Sequence, residues 1–142
     1  MKNLVLFLGS TAAVLLLACS SDTGTTSGSS GTTDEAKFKR DVMPIVRESC
    51  ALTACHSSES RNLGIFLSND AAQVYKELQK TSAQGAQKFV TPGDPSKSYL
   101  VTKLDDKQKK PDQGSQMPPD AQLPAAQKQT IRDWITAGAL DN

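Results

Sequence analysis

Two cysteines and the only histidine of the chain lie within the seven-residue run CALTACH, residues 50–56. Two thiols followed at once by an imidazole can attach a haem through thioethers, with the imidazole bound to the iron. The usual attachment motif has two residues between its cysteines, whereas four separate Cys50 from Cys55. The same groups could instead form a disulfide loop or a metal site. The run alone therefore leaves three interpretations open.

The longer spacer is compatible with haem attachment on geometric grounds. Two thioethers require two sulfur atoms at a fixed separation along the edge of the porphyrin. Additional residues can loop out between two fixed points without moving either of them. The four-residue spacer makes the motif less specific as a sequence signal, but it does not exclude attachment at Cys50 and Cys55, with His56 as the proximal ligand.

A second iron ligand is sought among the methionines, because a haem iron bound by one histidine commonly takes methionine or histidine opposite. The chain has no second histidine. Met43 precedes Pro44 in a predicted helix and is expected to pack in the core. Met117 lies in the segment GSQMPPD, a loop stiffened by two prolines shortly before the last predicted helix. Met117 is therefore the candidate distal ligand.

The N-terminus predicts export and lipidation. A short positive start is followed by LVLFLGSTAAVLLLA, an apolar run typical of a signal peptide and too short to span a membrane as a helix. The run ends in LLAC, which resembles a bacterial lipobox, so residues 1–18 are expected to be a signal peptide and Cys19 the lipidated residue. Residues 19–33, rich in Ser, Thr and Gly, are expected to form a flexible tether to a single domain, 34–142.

Export places the domain in a compartment where disulfides persist and where haem can be attached covalently. Without Cys19, one pair of cysteines remains, and both uses of that pair stay possible. Sixteen basic and fifteen acidic residues give a formal net charge of +1, which offers no indication of nucleic-acid binding. The domain is also poor in apolar residues for its length. A large apolar prosthetic group, a disulfide or a loop-rich fold could each compensate for a thin core.

The apolar spacing predicts short helices and no sheet. Thr32 and Glu35 fit a capping box before a first helix, whose apolar face is interrupted by Pro44. Helices are also predicted after Ser68-Asn69-Asp70 and from about Ser96, with a turn at Pro92-Gly93 before the latter. The polar segment 105–120 is expected to be a long loop. A last helix follows Pro124, with Ile131, Trp134 and Ile135 on its buried edge and Gly138 after its end.

Several of these segments, in this order, resemble the small c-type cytochrome domains of exported bacterial proteins, including many lipoproteins. The matching segments are DVMPIVRESC, then CHS, PGDPSKSYLVTKL, MPP and TIRDWITAGA. The resemblance implies an all-α, cytochrome c-like fold with long loops, in which the first and last helices pack near a haem c. Carried over by position, it makes Cys50 and Cys55 the thioether anchors, His56 the proximal ligand and Met117 the distal ligand.

The expected function is electron transfer by a haem protein tethered to a bacterial membrane, on its periplasmic side or at the cell surface. Unidentified redox proteins would be its partners, and no catalytic acid, base or nucleophile is implied, so the chain is expected to be a carrier and not an enzyme. The alternative is a haem-free lipoprotein domain in which a Cys50–Cys55 disulfide stabilises a binding or structural module.

Overall fold

The structure, a computed structural model, describes residues 34–57, 64–84, 86–107 and 114–142. The predicted signal peptide, Cys19 and the tether lie outside these ranges. Within them the chain is helical, as the sequence predicts, and has no strand beyond one isolated bridge between Thr81 and Lys88. The elements in chain order are a π-helical segment (Phe38–Val42), α1 (Met43–Ser49), α2 (Ala71–Leu78), a 3₁₀ turn (Pro95–Lys97), α3 (Tyr99–Leu104) and α4 (Ala125–Thr136).

The first helix changes from π-helical to α-helical geometry next to Pro44, where the sequence predicts an interruption. The π-helical segment runs directly into α1, and Pro44, which has no N–H to donate to the preceding turn, lies in the first turn of α1. The predicted start of this helix is wrong. Glu35 precedes the helix in irregular backbone and cannot act in a capping box, while Thr32 lies outside the described residues.

The cap comes from the other end of the chain. The side-chain oxygen of Asn142 accepts a hydrogen bond from the N–H of Phe38 at 2.9 Å. The backbone carbonyl of Asn142 accepts from the N–H of Lys39, also at 2.9 Å. An ion pair between Lys39 and Asp141 (3.0 Å) lies beside these bonds. Asp141 and Asn142 therefore provide the contacts at the start of the first helix that a neighbouring capping residue would otherwise provide.

The first and last helices meet through aromatic rings at the centre of the core. The ring of Phe38 lies 5.2 Å from that of Trp134 and 5.4 Å, edge to face, from that of Tyr75. Trp134 is 1% exposed, and its indole N–H donates to the carbonyl of Leu140 at 2.9 Å. The buried edge predicted for α4 is confirmed, since Ile131, Trp134 and Ile135 are all buried.

A local cap begins α2, and two further contacts join the α3 region to α4. Asp70 caps α2 by accepting from the N–H of Gln73 at 2.9 Å, which confirms the predicted helix start. Gly93 has φ +78°, a conformation that glycine adopts without a side-chain clash, and its N–H donates to the carbonyl of Ile135 at 2.7 Å. That bond ties the predicted Pro-Gly turn to α4. Asp105 and Arg132 form an ion pair that joins the end of α3 to α4.

Candidate functional site

An apolar cleft of about 230 Å³ brings together the four residues that the sequence predicts to bind haem. Cys50, Cys55, His56 and Met117 all line it, although 61 residues separate the last two. We call it the Cys–Met cleft. Its apolar walls come from the end of α1, the extended segment after residue 64, α2, α3 and α4, and include Val46, Ile65, Leu67, Leu78, Leu104 and Ile131. The predicted distal residue therefore lies at the same site as the Cys-His run.

Backbone hydrogen bonds fold the Cys-His run into a compact loop. The N–H of Cys55 donates to the carbonyl of Leu52 at 2.8 Å, forming a turn within the spacer. The N–H of His56 then donates to the carbonyl of Cys50 at 3.2 Å, which brings the end of the loop back to its start. Leu52 is 46% exposed, so the middle of the spacer projects towards solvent. The extra residues loop out while both cysteines remain at the cleft.

A further bond fixes this loop against the rest of the domain. The carbonyl of His56 accepts from the N–H of Leu67 at 2.8 Å. Leu67 is buried, and it lies in a segment in which every second residue of the sequence is apolar. Its neighbour in that alternation, Ile65, is also buried, whereas Leu63 falls outside the described residues. The Cys-His loop is therefore held from both of its ends.

Cys50 and Cys55 are free thiols, so the disulfide of the alternative interpretation is not formed in this structure. Burial, with a smaller contribution from the charge of Cys55, raises the pKa of Cys50 to about 11. Burial has this effect because it disfavours the charged thiolate relative to the neutral thiol. At neutral pH Cys50 is therefore protonated and is a poor nucleophile and a poor metal ligand.

The loop that carries Met117 is attached to α3. The N–H of Met117 donates to the carbonyl of Lys103 at 3.0 Å, and the side-chain amide of Gln116 donates to the carbonyl of Leu104 at 3.3 Å. The ammonium of Lys103 donates to the carbonyl of Ser115. The first two bonds use α3 carbonyls near the helix end, which lack partners within the helix. The third joins an α3 side chain to a carbonyl of the loop. Met117 itself is half-buried at the wall of the cleft.

Three polar residues that the sequence analysis did not single out also line the cleft. Ser82 is 2% exposed and Lys103 is 8% exposed, and Gln84 lies with them in the lining. A signal for Lys103 was present, because it occurs four residues after Tyr99 on the apolar side of the predicted helix. Residues four apart share one helix face, so a lysine in that position is carried towards the interior. No comparable signal marks Ser82 or Gln84, which belong to an irregular segment.

Other described features bear on the remaining interpretations. Among the residues that the structure describes, no group of three or more His, Cys, Asp and Glu side chains is arranged to hold a metal ion. No helix in those same ranges has the length and apolar character needed to cross a bilayer.

A larger, open groove of about 930 Å³ lies between the first helix and α4, away from the candidate ligands. Three of its charged side chains are paired with one another, since Arg40 contacts both Asp34 and Asp41. Hydrogen bonds from Arg40 and from the backbone hold the pKa of Asp41 below its ordinary value.

Comparisons with protein families, with curated protein sequences and with solved structures found no match to this chain. The chemistry of the Cys–Met cleft must therefore be inferred from its own residues.

Proposed function

We propose that this chain is a membrane-tethered, cytochrome c-like lipoprotein that binds one haem c covalently and carries electrons. One observation carries the proposal: two thiols and an imidazole from one short run, and a thioether from a distant loop, line a single apolar cleft. Soft sulfur and imidazole donors are the side chains that haem proteins of this kind use. The apolar walls provide the low-polarity surroundings that a porphyrin ring requires.

The residues present fit such a group in number and kind. Cys50 and Cys55 would each add a thiol S–H across a porphyrin vinyl group, and His56 and Met117 would bind the iron. A bound haem would supply a one-electron centre, whose potential methionine ligation raises. The protonated state of Cys50 suits a reaction in which sulfur and hydrogen both add to the vinyl group. The chain's other residues at the cleft would bind the haem, orient it and shield it from water.

The size of the cleft limits how much of the porphyrin ring its walls can enclose. Pockets that bury most of a drug-sized ligand measure about 300–1,000 Å³, and the Cys–Met cleft measures about 230 Å³. A porphyrin would therefore sit with part of its ring outside these walls, or with the Met117 loop moved outward. A partly open edge suits a carrier, because its electron must pass to a partner protein at the surface.

The tether completes the proposal. Cleavage before Cys19 and lipidation of that residue would hold the domain at a bacterial membrane through residues 19–33. Replacing Cys19 with Ala is expected to release the protein into the soluble fraction while leaving its absorption spectrum unchanged. If the wild-type protein is found in the soluble fraction of a host that processes lipoproteins, the proposed anchor is wrong. The spectra would then still test haem binding independently.

The spectra test haem binding directly. The full chain, exported by a host with the haem-attachment machinery, is expected to show a sharp reduced α band and to keep its haem under denaturing conditions. A colourless product would overturn the proposal. His56→Ala is expected to shift the bands and expose the iron to added ligands. Double replacement of Cys50 and Cys55 with Ala is expected to abolish covalent attachment.

The two methionines of the domain provide a matched pair for the distal ligand. Met117→Leu is expected to remove the weak near-infrared band of a sulfur–iron bond while the haem stays attached. Met43→Leu makes the same chemical change at a core residue that is 1% exposed, and is expected to leave that band intact. If both variants keep the band, the distal ligand lies elsewhere.

A further inference from the structure

Lys103 contacts the Met117 loop with both its backbone and its side chain. Its carbonyl accepts the hydrogen bond from the N–H of Met117 at 3.0 Å. Its ammonium donates to the carbonyl of Ser115, two residues earlier in the loop. One residue of α3 therefore holds two points of the segment that carries the candidate ligand.

The burial of this lysine is unusual enough to require a partner. Lys103 is 8% exposed and lines the apolar cleft, whereas lysines are rarely buried unless their charge is paired or hydrogen-bonded. Burial lowers the pKa of Lys103, although the nearby charge of Asp106 opposes that change. If the lysine side chain extended so that its ammonium reached solvent, the charge would not have to be buried. The cost is offset where the ammonium bonds to the loop.

The loop backbone approaches the ammonium closely. Gly114 has φ +72°, and a Cβ built there would lie 3.4 Å from the lysine nitrogen. Glycine permits both this conformation and this approach. Gln116, whose amide donates to the carbonyl of Leu104 at 3.3 Å, adds a third attachment to α3. Segment 114–117 thus passes around the end of the lysine side chain before reaching Met117.

We propose that Lys103 is a positioning residue, whose ammonium fixes segment 114–117 so that the sulfur of Met117 stays at the cleft. The inference deepens the proposed function and rests on it where iron ligation is concerned. A thioether carries no charge that would attract it to the iron. Its binding therefore depends on the loop already holding the sulfur at the cleft. A pre-positioned ligand loses less conformational freedom on binding, and outer groups that orient a ligand strengthen the metal site.

Three variants of the full chain separate this role from a general effect on folding. Lys103→Leu removes the ammonium and introduces no new sulfur or nitrogen near the cleft. Lys103→Arg keeps a cationic donor and tests rescue. Lys107→Leu makes the same change four residues later, on a side chain that is 74% exposed and pairs with Asp105 outside the loop. Circular dichroism and thermal unfolding verify that each variant is folded.

The first measurement does not depend on haem. Amide hydrogen exchange at Met117 is expected to accelerate about tenfold or more in Lys103→Leu, since a hydrogen bond to a charged group is lost from the loop. Exchange is expected to be unchanged in Lys107→Leu and largely restored in Lys103→Arg. Unchanged exchange in Lys103→Leu would overturn the inference, whether or not the chain binds haem. If Lys103→Leu fails to fold, Lys103→Gln, which keeps a polar side chain but removes the ammonium, takes its place with the same expected and contradicting outcomes.

The second measurement concerns the iron. Lys103→Leu is expected to retain its haem while the sulfur–iron band weakens and added imidazole binds more readily. Faster exchange together with an unchanged band would show that the loop is fixed for another purpose, and would overturn the positioning role. A wild-type chain without haem overturns the proposed function, and the exchange comparison then decides alone whether Lys103 fixes the loop.

Discussion

The indole of Trp134 and the ring of Phe38 lie 5.2 Å apart, with 33° between their planes, and join the last helix to the first. Both side chains are at most 1% exposed. Aromatic pairs of this kind contribute beyond the apolar area that they bury. Because the first helix leads directly to Cys50, this contact also determines where the Cys-His loop begins.

Trp134→Ala is expected to lower the free energy of unfolding by about 3–5 kcal/mol, because it leaves a large cavity against Phe38. Urea denaturation of the haem-free chain measures the effect. Leu140→Ala is the control, since Leu140 is 54% exposed and its side chain can be lost at little cost. Equal losses from the two variants would contradict the central role of the aromatic contact.

The thiol of Cys50 should make the haem-free protein less stable in alkali. Its pKa is raised from 9.0 to about 11 by burial and, to a lesser extent, by Cys55. The folded state therefore holds the proton more tightly, so this contribution is present below pH 9 and is lost as the pH rises through 11. A shift of this size corresponds to between about 1 and 3 kcal/mol.

Urea midpoints between pH 8 and pH 11.5 measure this loss, and Cys50→Ala is expected to flatten the wild-type decline. Peptide-resolved alkylation gives a second readout, in which the reaction of Cys50 rises only near pH 11. A variant that declines as steeply as wild type would mean that other groups cause the alkaline loss.

The ion pair between Asp105 and Arg132 should stabilise the contact of α3 with α4 at neutral pH. Burial raises the pKa of Asp105, but the bonds from Arg132 and Lys107 outweigh burial and leave this pKa below its ordinary value. A lowered folded-state pKa contributes stability that is present above the ordinary value of about 4 and is lost as the pH falls through the folded-state value.

Arg132→Gln is accordingly expected to cost about 1 kcal/mol at pH 7 and less at pH 2. A double-mutant cycle with Asp105→Asn isolates the pair, because both side chains are only partly exposed. A coupling of zero at pH 7 would show that solvent screens the pair completely.

Two helix caps of different origin give a matched comparison. Asp70→Ala removes a local cap from α2, and Asn142→Ala removes the side-chain part of the cap on the first helix. Each is expected to cost about 0.5–2 kcal/mol in urea denaturation. Asp120→Ala, an exposed change in a loop, is the control and should be neutral.

The same two caps show what the sequence could and could not predict. Asp70 is close in sequence to the helix it caps, so the start of α2 could be located from its neighbours. The first helix begins at Phe38 and not after Thr32, because the group that satisfies its N–H lies 104 residues away. Local patterns do not contain that contact. Its π-helical geometry was likewise not predicted.

The candidate site shows a similar division. The residue types and their order identified Cys50, Cys55, His56 and Met117, and these four line one cleft. Sequence could not show that His56 bonds back to Cys50, nor that the ammonium of Lys103 turns into the Met117 loop. The first is a backbone bond within an irregular loop, which residue types do not specify, and the second joins α3 to a separate loop. The apolar face of the first helix, by contrast, follows from helical periodicity alone and is confirmed by the burial of Val42 and Val46.

The contacts of Asn142 with Phe38 and Lys39 bring the two ends of the domain side by side. A circular permutant, in which a short linker joins residue 142 to residue 34 and new termini open in an exposed turn, would therefore preserve every helix and the Cys–Met cleft. Such a permutant would move the point at which the proposed membrane anchor joins the domain to another face. The side of the cleft presented to the proposed redox partner could then be chosen by design.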